Sequence, residues 1–359
     1  MKVRRLSLRV EIDVFVGEGM IFRVFLYFVL LVLFGIGTAE ARLIDQWNLL
    51  QKAPLGISEP QVVDFVFQGG RLYALISSQN PKASESKLVS SDIHGRNVQA
   101  VQLPFGHVRS LATSPDGTLL FLSVDAVARK QTAVRISPSG SIRWTAEVRP
   151  FARSIWQQGA SLRVSMGNGE VWKSDARGAC TKEVEALSTR TAEGHAARCG
   201  SCEAPVRVHG LPRGDFFLVD RENGAFWRSA VGSSWEVASL NHPWIGAGLQ
   251  DSQRARSAAM ASAPQGARIG TPVVIVTSSV AEDGSVFVLV GPFDRARPFR
   301  LLKGEPSLTR FSEISCETVG NADAFLPSFI VPLPESRVAL ASWNGEVRIY
   351  SYDERGDTE

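Results

Sequence analysis

The sequence predicts an all-β fold, a six-bladed β-propeller whose ring is closed by an N-terminal strand completing the last blade. Three observations carry the prediction. Six segments of alternating apolar and polar residues, each broken by a central turn, recur along the chain. A second turn follows the first at a constant offset in three of them. The last unit lacks the fourth strand that the other five have.

Residues 1–41 read as a signal peptide. Val24–Gly37 (VFLYFVLLVLFGIG) is almost purely apolar, preceded by Arg23 and followed by Thr38-Ala39-Glu40-Ala41, where Ala39 and Ala41 form a small-x-small cleavage site. That run of about 14 residues is shorter than the roughly 20 that a membrane span needs. Cleavage after Ala41 leaves Arg42 as the mature N-terminus of a secreted or periplasmic protein with no membrane span; a retained anchor is the alternative. Glu11, Asp13 and Glu18 suit the basic start of such a peptide poorly, which places the true start at Met20.

Residues 42–359 form a single propeller domain. Its inner hairpins are Val62–Ser77, Val108–Ser123, Ala152–Met166, Val206–Asp220, Val276–Val290 and Pro327–Ser342. Turn-to-turn spacings of about 43 to 70 residues leave room for four short strands per unit, as in propeller blades. The predicted blades are 62–104, 108–148, 152–186, 206–240, 276–314, and 327–356 completed by 43–50.

Asn168-Gly169, Asn223-Gly224 and Asn344-Gly345 stand nine residues after the first turns at Gly159, Gly214 and Glu335. Asn-Gly tolerates positive φ, so each pair predicts a type I′ turn joining the second strand to the third. A third turn, Asp-x-x-Gly, follows at Asp92–Gly95, Asp175–Gly178 and Asp353–Gly356, with Pro138-Ser139-Gly140 in its place in the second unit. A fourth strand comes next everywhere but in the sixth unit. An unclosed ring would expose a sheet edge. Leu43–Leu50 supplies the missing strand.

Composition excludes other classes. With 44% hydrophobic and 21% charged residues and a net charge of +3 without charge blocks, the chain is globular and shows neither a nucleic-acid tail nor a polybasic membrane patch. It is read as a monomer.

The repeats resemble six-bladed propellers of the NHL-repeat and SMP-30/gluconolactonase-like group. The residues that carry the resemblance are Ser114-Pro115-Asp116-Gly117 and the run from Gly214-Asp215-Phe216 to Asn223-Gly224. It covers Leu43 to Arg355 as a pattern of fold. In the SMP-30-like lactonases a Glu, two Asn and an Asp projecting into the channel hold a metal. Here Arg109–Thr113 contains no Asn, and the first inner strand offers Asp64 in place of Glu, so no metal ligand carries over.

Links between the second and third strands, and links between blades, share one face of a propeller. The long segments Ala186–Ala204, Asn241–Gly270 and Cys316–Leu326 belong to that face, where binding usually resides. Near the starts of the inner strands stand Asp64, Arg109, Arg153, Arg207, Thr277 and Ser328. Three arginines beside a channel suit a carboxylate or phosphate; the competing reading is that they pair with acids such as Asp64 and hold blades together. His107 and His242 fall in links between blades and His209 on an inner strand. The candidate ligand-binding residues are therefore His107, Arg109, Arg153, Arg207, His209 and His242. Trp144, Trp172, Trp227 and Trp235 are expected to pack between blades.

Cys180, Cys199, Cys202 and Cys316 admit two disulfides in an exported protein, a redox pair at Cys199-Gly200-Ser201-Cys202, or a zinc site with His195. The sequence contains no Gly-x-Ser-x-Gly elbow, His-Glu-x-x-His motif or phosphate loop. Two functions follow as expectations. The first is an exported binding scaffold for a protein, glycan or small anionic ligand. The alternative is a metal-dependent lactonase or hydrolase acting in the channel mouth, for which a divalent metal would be the cofactor.

Overall fold

The computed structural model describes residues 39–353, apart from 81–82, 84, 126–127, 175–179, 187–205, 213, 221–224, 231–234, most of 239–274, 292–298, 308–310 and 317–324. The chain opens with β1 (Ala39–Asn48) and a single helical turn, α1 (Leu49–Lys52). Blade 1 is β2 (Pro60–Gln68), β3 (Arg71–Ser78), β4 (Ser86–Asp92) and β5 (Gln99–Leu103). Blade 2 is β6 (His107–Thr113), β7 (Leu119–Asp125), β8 (Lys130–Ile136) and β9 (Ile142–Val148). Blade 3 is β10 (Ala152–Gln158), β11 (Ser161–Met166), β12 (Val171–Ser174) and β13 (Cys180–Val184). Blade 4 is β14 (Val206–Gly210), β15 (Phe216–Asp220), β16 (Ala225–Ser229) and β17 (Glu236–Ala238). Blade 5 is β18 (Ile275–Val280), β19 (Val286–Val290), β20 (Arg300–Gly304) and β21 (Phe311–Cys316). Blade 6 is β22 (Pro327–Leu333), β23 (Arg337–Ser342) and β24 (Glu346–Tyr352). Among the described residues no helix is long and apolar enough to cross a membrane.

Each blade is an antiparallel meander, and each inner strand neighbours the next, with β22 beside β2. The second strand of a blade is covered by both neighbouring blades. This explains why β3, β7, β19 and β23 read as continuous apolar runs and are buried almost end to end. The core accordingly lies in layers between blades. Tyr73, Leu75, Val108, Leu111 and Phe121, for example, fill the layer between blades 1 and 2. Burying a side chain of the Leu or Phe class contributes about 1.5–3 kcal/mol, so each layer is a strong joint.

One turn recurs through the repeats. At Asp92–Gly95, Ser114–Gly117, Ser137–Gly140, Met166–Gly169, Leu211–Gly214, Ala281–Gly284 and Ser342–Gly345, the glycine N–H donates to the carbonyl of the first residue. The fourth position has φ between 64° and 100°, a region that glycine enters at least cost. This corrects the expected turn at two Asn-Gly pairs. Gly169 and Gly345 take positive φ while Asn168 and Asn344 do not, so the turn is not type I′. The asparagine side chain does other work: Asn168 and Asn344 each accept from the backbone N–H two residues on, at 3.1 and 3.2 Å. Asn223-Gly224 lies outside the described residues.

The N-terminal strand closes the ring. Ala41 to Asn48 pair antiparallel with Tyr352 to Glu346, completing blade 6. The strand begins at Ala39, earlier than the predicted Leu43, and ends at Asn48, where the chain turns into α1. Its extra residues, Ala39–Ala41, run parallel to Ile314–Cys316 of β21. Blades 5 and 6 thereby become one eight-stranded sheet. Trp47 and Leu49 anchor the closure in the layer between blades 6 and 1.

Candidate functional site

The inner strands build the channel wall, and most of them carry an irregularity. A bulge interrupts the register between Val62 and Asp64, Arg109 and Leu111, Ala152 and Ser154, Ile275 and Thr277, and Pro327 and Phe329. A bulge re-aims the side chains around it. Here several of them tie one inner strand to the next. Asp64 accepts from the backbone N–H of Leu111 at 2.8 Å, and Ser110 from that of Ile155 at 3.0 Å. Ser154 donates to the Val208 carbonyl at 3.4 Å, and Arg207 to the Thr277 hydroxyl at 3.2 Å.

These residues surround a cavity of about 250 Å³ whose polar lining includes Asp64, Ser110, Gln157, Arg207 and His209. Asp64 is buried, with its second oxygen on its neighbour's N–H, Phe65, at 2.9 Å. Arg207, from the blade opposite across the ring, lies 3.7 Å from that oxygen. Burial raises the Asp64 pKa above the usual carboxylate value, opposed by Arg207 and the two backbone donors. His209 places Nε2 2.8 Å from the Ser278 hydroxyl and stacks on Phe217. Burial, reinforced by the Arg207 charge, holds its pKa well below 6.5, so the ring is neutral at physiological pH.

The predicted site residues divide into groups. Arg207 and His209 are on the channel wall, engaged with Asp64, Thr277 and Ser278, which is the blade-holding arrangement weighed for the arginines. His107 and Arg109 stand on β6 opposite Val124 and Leu122, both half-buried, and Arg153 is exposed on the adjoining β10. Burial, and then the neighbouring Arg153 charge, lower the Arg109 pKa. No acidic side chain lies within ion-pairing distance of Arg109 among the described residues. His242 lies outside the described residues.

At this corner the fold presents residues that sequence reasoning missed. The link from blade 2 to blade 3 is only Arg149-Pro150-Phe151. Gln131, buried on β8, grips the next residue from both sides: its carbonyl accepts from the Ala152 N–H at 2.6 Å and its amide donates to the Ala152 carbonyl at 3.3 Å. The Arg149 guanidinium lies 3.9 Å from the Trp172 ring centroid. Between these holds, Phe151 stands 62% exposed with φ 70°. Its only sequence signal is an aromatic in a very short link.

The other expectations fare unevenly. Trp235 is buried between blades 3 and 4 and donates to the Gly169 carbonyl at 3.2 Å, and Trp144 and Trp172 pack into the layer between blades 2 and 3. The Trp227 side chain lies outside the described residues. Cys180 opens β13 opposite Ser174, and Cys316 ends β21 opposite Ala41. Cys199, Cys202 and His195 lie outside the described residues, as do most of the three long links. Among the described residues, no three His, Cys, Asp or Glu side chains gather as a metal site. At the opposite end of the ring, a cleft of about 380 Å³ lined by Phe65, Phe67, Phe287, Lys303, Leu333 and Tyr352 was not anticipated from sequence.

No protein-family model and no curated protein matches the sequence. Among solved structures, a protein of unknown function from Bacteroides thetaiotaomicron VPI-5482 is similar at a TM-score of 0.53 and 11% identity, over 87% of this chain and 76% of that one. YCF48 from Cyanidioschyzon merolae is similar at 0.49 and 11% identity, over 87% and 89%. Regucalcin, a calcium-binding protein from Agrobacterium tumefaciens str. C58, is similar at 0.48 and 12% identity, over 86% and 95%. At such identities the likeness is one of fold.

Proposed function

We propose that this chain is an exported binding scaffold whose loop-bearing face takes a small anionic group, a carboxylate or phosphate, at Arg109 and Arg153. The observation that supports the reading is the environment of Arg109: half-buried, beside a second arginine, and without an acidic partner among the described residues. A desolvated cation facing a like charge costs stability unless an anion joins it. Sites that destabilise a fold and serve no packing purpose are where ligand binding concentrates. Asp64, by contrast, spends both carboxylate oxygens on backbone N–H groups, which disfavours the metal-dependent lactonase reading at that position.

The test uses sulfate and citrate as probes. Each raises the melting temperature of the protein in a concentration-dependent way at constant ionic strength, and Arg109→Gln abolishes the shift. In the absence of anion the same variant melts no lower than the parent, because it removes a half-buried cation that faces a like charge. An anion response that survives in Arg109→Gln would sink the assignment. Export rests on the apolar run Val24–Gly37 and the small residues Ala39 and Ala41; N-terminal sequencing of protein recovered outside the cytoplasm tests it, with Arg42 as the expected first residue.

A further inference from the structure

We propose that the junction of blades 2 and 3 on the loop-bearing face docks an acidic segment of a partner protein, with an apolar or aromatic side chain of that segment packed on Phe151 and its carboxylates on Arg109 and Arg153. The proposal rests on the anion reading above and adds the class of partner.

A single exposed apolar residue is ordinary and needs no explanation. Phe151 differs in how it is held. Its φ of 70° is one that residues with a Cβ avoid, and at that angle glycine would carry no penalty. The link is held at both flanks: Gln131 bonds Ala152 on one side and Arg149 lies against Trp172 on the other. The fold thus maintains a strained backbone to present an aromatic ring to solvent, a combination that marks binding positions. The ring lies between Arg149 and Arg153 in sequence, and two acids of the same pair of blades are engaged elsewhere. Glu147 pairs with Lys130 at 3.3 Å, and Glu170 accepts from the Trp172 indole at 3.1 Å. Positive charge around an exposed aromatic complements a chain that mixes carboxylates with an apolar anchor. A bilayer of anionic lipid offers the same two chemistries. It is flat, however, whereas Arg109 is half-buried on an inner strand, a depth that an extended peptide reaches and a planar surface does not.

The probes are two fluorescein-labelled pentapeptides, DEFED and DESED, with binding read by fluorescence anisotropy on the purified full chain. DEFED binds about fivefold or more tightly than DESED. Phe151→Ser erases that difference and keeps the weaker binding, and Arg109→Gln removes both. Phe151→Gly serves as the folding control: it relieves the strained backbone, raises the melting temperature and still loses the preference for DEFED. Equal binding of the two peptides, with the sulfate response at Arg109 intact, overturns the docking inference and leaves the anion reading standing. Failure of both peptides together with sulfate removes both. Co-sedimentation with phosphatidylglycerol vesicles that is lost in Phe151→Ser overturns the inference in favour of a membrane. Self-association lost in the same variant overturns it in favour of a second copy of this chain.

Discussion

The Trp47 indole of the closing strand occupies the space beside Gly95 where any other residue would carry its Cβ. Gly95 ends the outer turn of blade 1 with φ 64°, and Lys52 donates to its carbonyl at 3.0 Å. The strand that completes blade 6 is therefore also fitted against blade 1, next to the contact of His94 Nδ1 with the Asp45 carboxylate at 2.9 Å.

Gly95→Ala should accordingly cost about 2–5 kcal/mol, the sum of a left-handed backbone penalty and overpacking against the indole. Trp47→Ala should cost about 3–5 kcal/mol by leaving a cavity in the layer between blades 6 and 1. In the double variant the overpacking vanishes, so Gly95→Ala adds only about 1–2 kcal/mol. Urea unfolding of the four proteins measures the coupling; strict additivity would show that the two residues do not meet.

His209 predicts an acid-side loss of stability. Its folded pKa lies well below 6.5, while the unfolded chain titrates near the ordinary value. Below about pH 6.5 the unfolded state binds a proton that the native state refuses, so stability falls with falling pH, by at most about 1.4 kcal/mol per pH unit for one proton. His209→Gln, which can still hydrogen-bond Ser278, removes that slope. Asp64 acts in the opposite sense. Its raised pKa lets the native state take up a proton first, so it adds stability as pH drops through that pKa and offsets part of the loss in more acidic buffer. Melting temperatures of parent and variant from pH 7.5 to 5.5 decide the matter: parallel curves would rule out His209 as the source.

Gln131→Leu should cost about 1–3 kcal/mol, because a buried backbone N–H and carbonyl lose their partner. It should also speed hydrogen exchange at the Ala152 amide and weaken whatever Phe151 and Arg153 bind, since the link is no longer pinned. Unchanged exchange at Ala152 would show that the clamp is not what holds the link.

Folding should protect the proposed cleavage site. Ala41 is buried and paired on both sides, with Cys316 and with Tyr352. A signal peptidase should cut the Ala41–Arg42 bond in urea-unfolded precursor and leave the folded ring intact. Equal cutting of both, followed by gel electrophoresis, would show that β1 opens freely.

The ring was legible from sequence because its determinants are local. Alternation, a glycine at the fourth turn position and the missing outer strand each sit within a few residues, and together they place the inner hairpins and the closing strand. The eight-stranded sheet was not legible, since the parallel pairing of Ala39–Ala41 with β21 depends on where two distant edges meet. The channel arginines divide for a similar reason. Arg109 and Arg207 occupy equivalent places in the repeat, but Arg207 finds Asp64 on the facing blade, whereas Arg109 has Arg153 as its charged neighbour among the described residues. Phe151 escaped notice because its exposure and its φ belong to a link whose next residue, Ala152, is held by Gln131, far earlier in the chain.

Ring closure also sets the order of events in time. Gln46 donates to Glu346 at 3.0 Å across a sequence separation of 300 residues, whereas each blade is assembled from neighbouring hairpins. Contacts so distant along the chain form late and slowly, because a long loop must be closed before they contribute. Blades can form as they are synthesised, but the seam at β1 waits for β24. The same seam is where unfolding should begin, so the lifetime of the folded protein is governed by how fast one strand peels away.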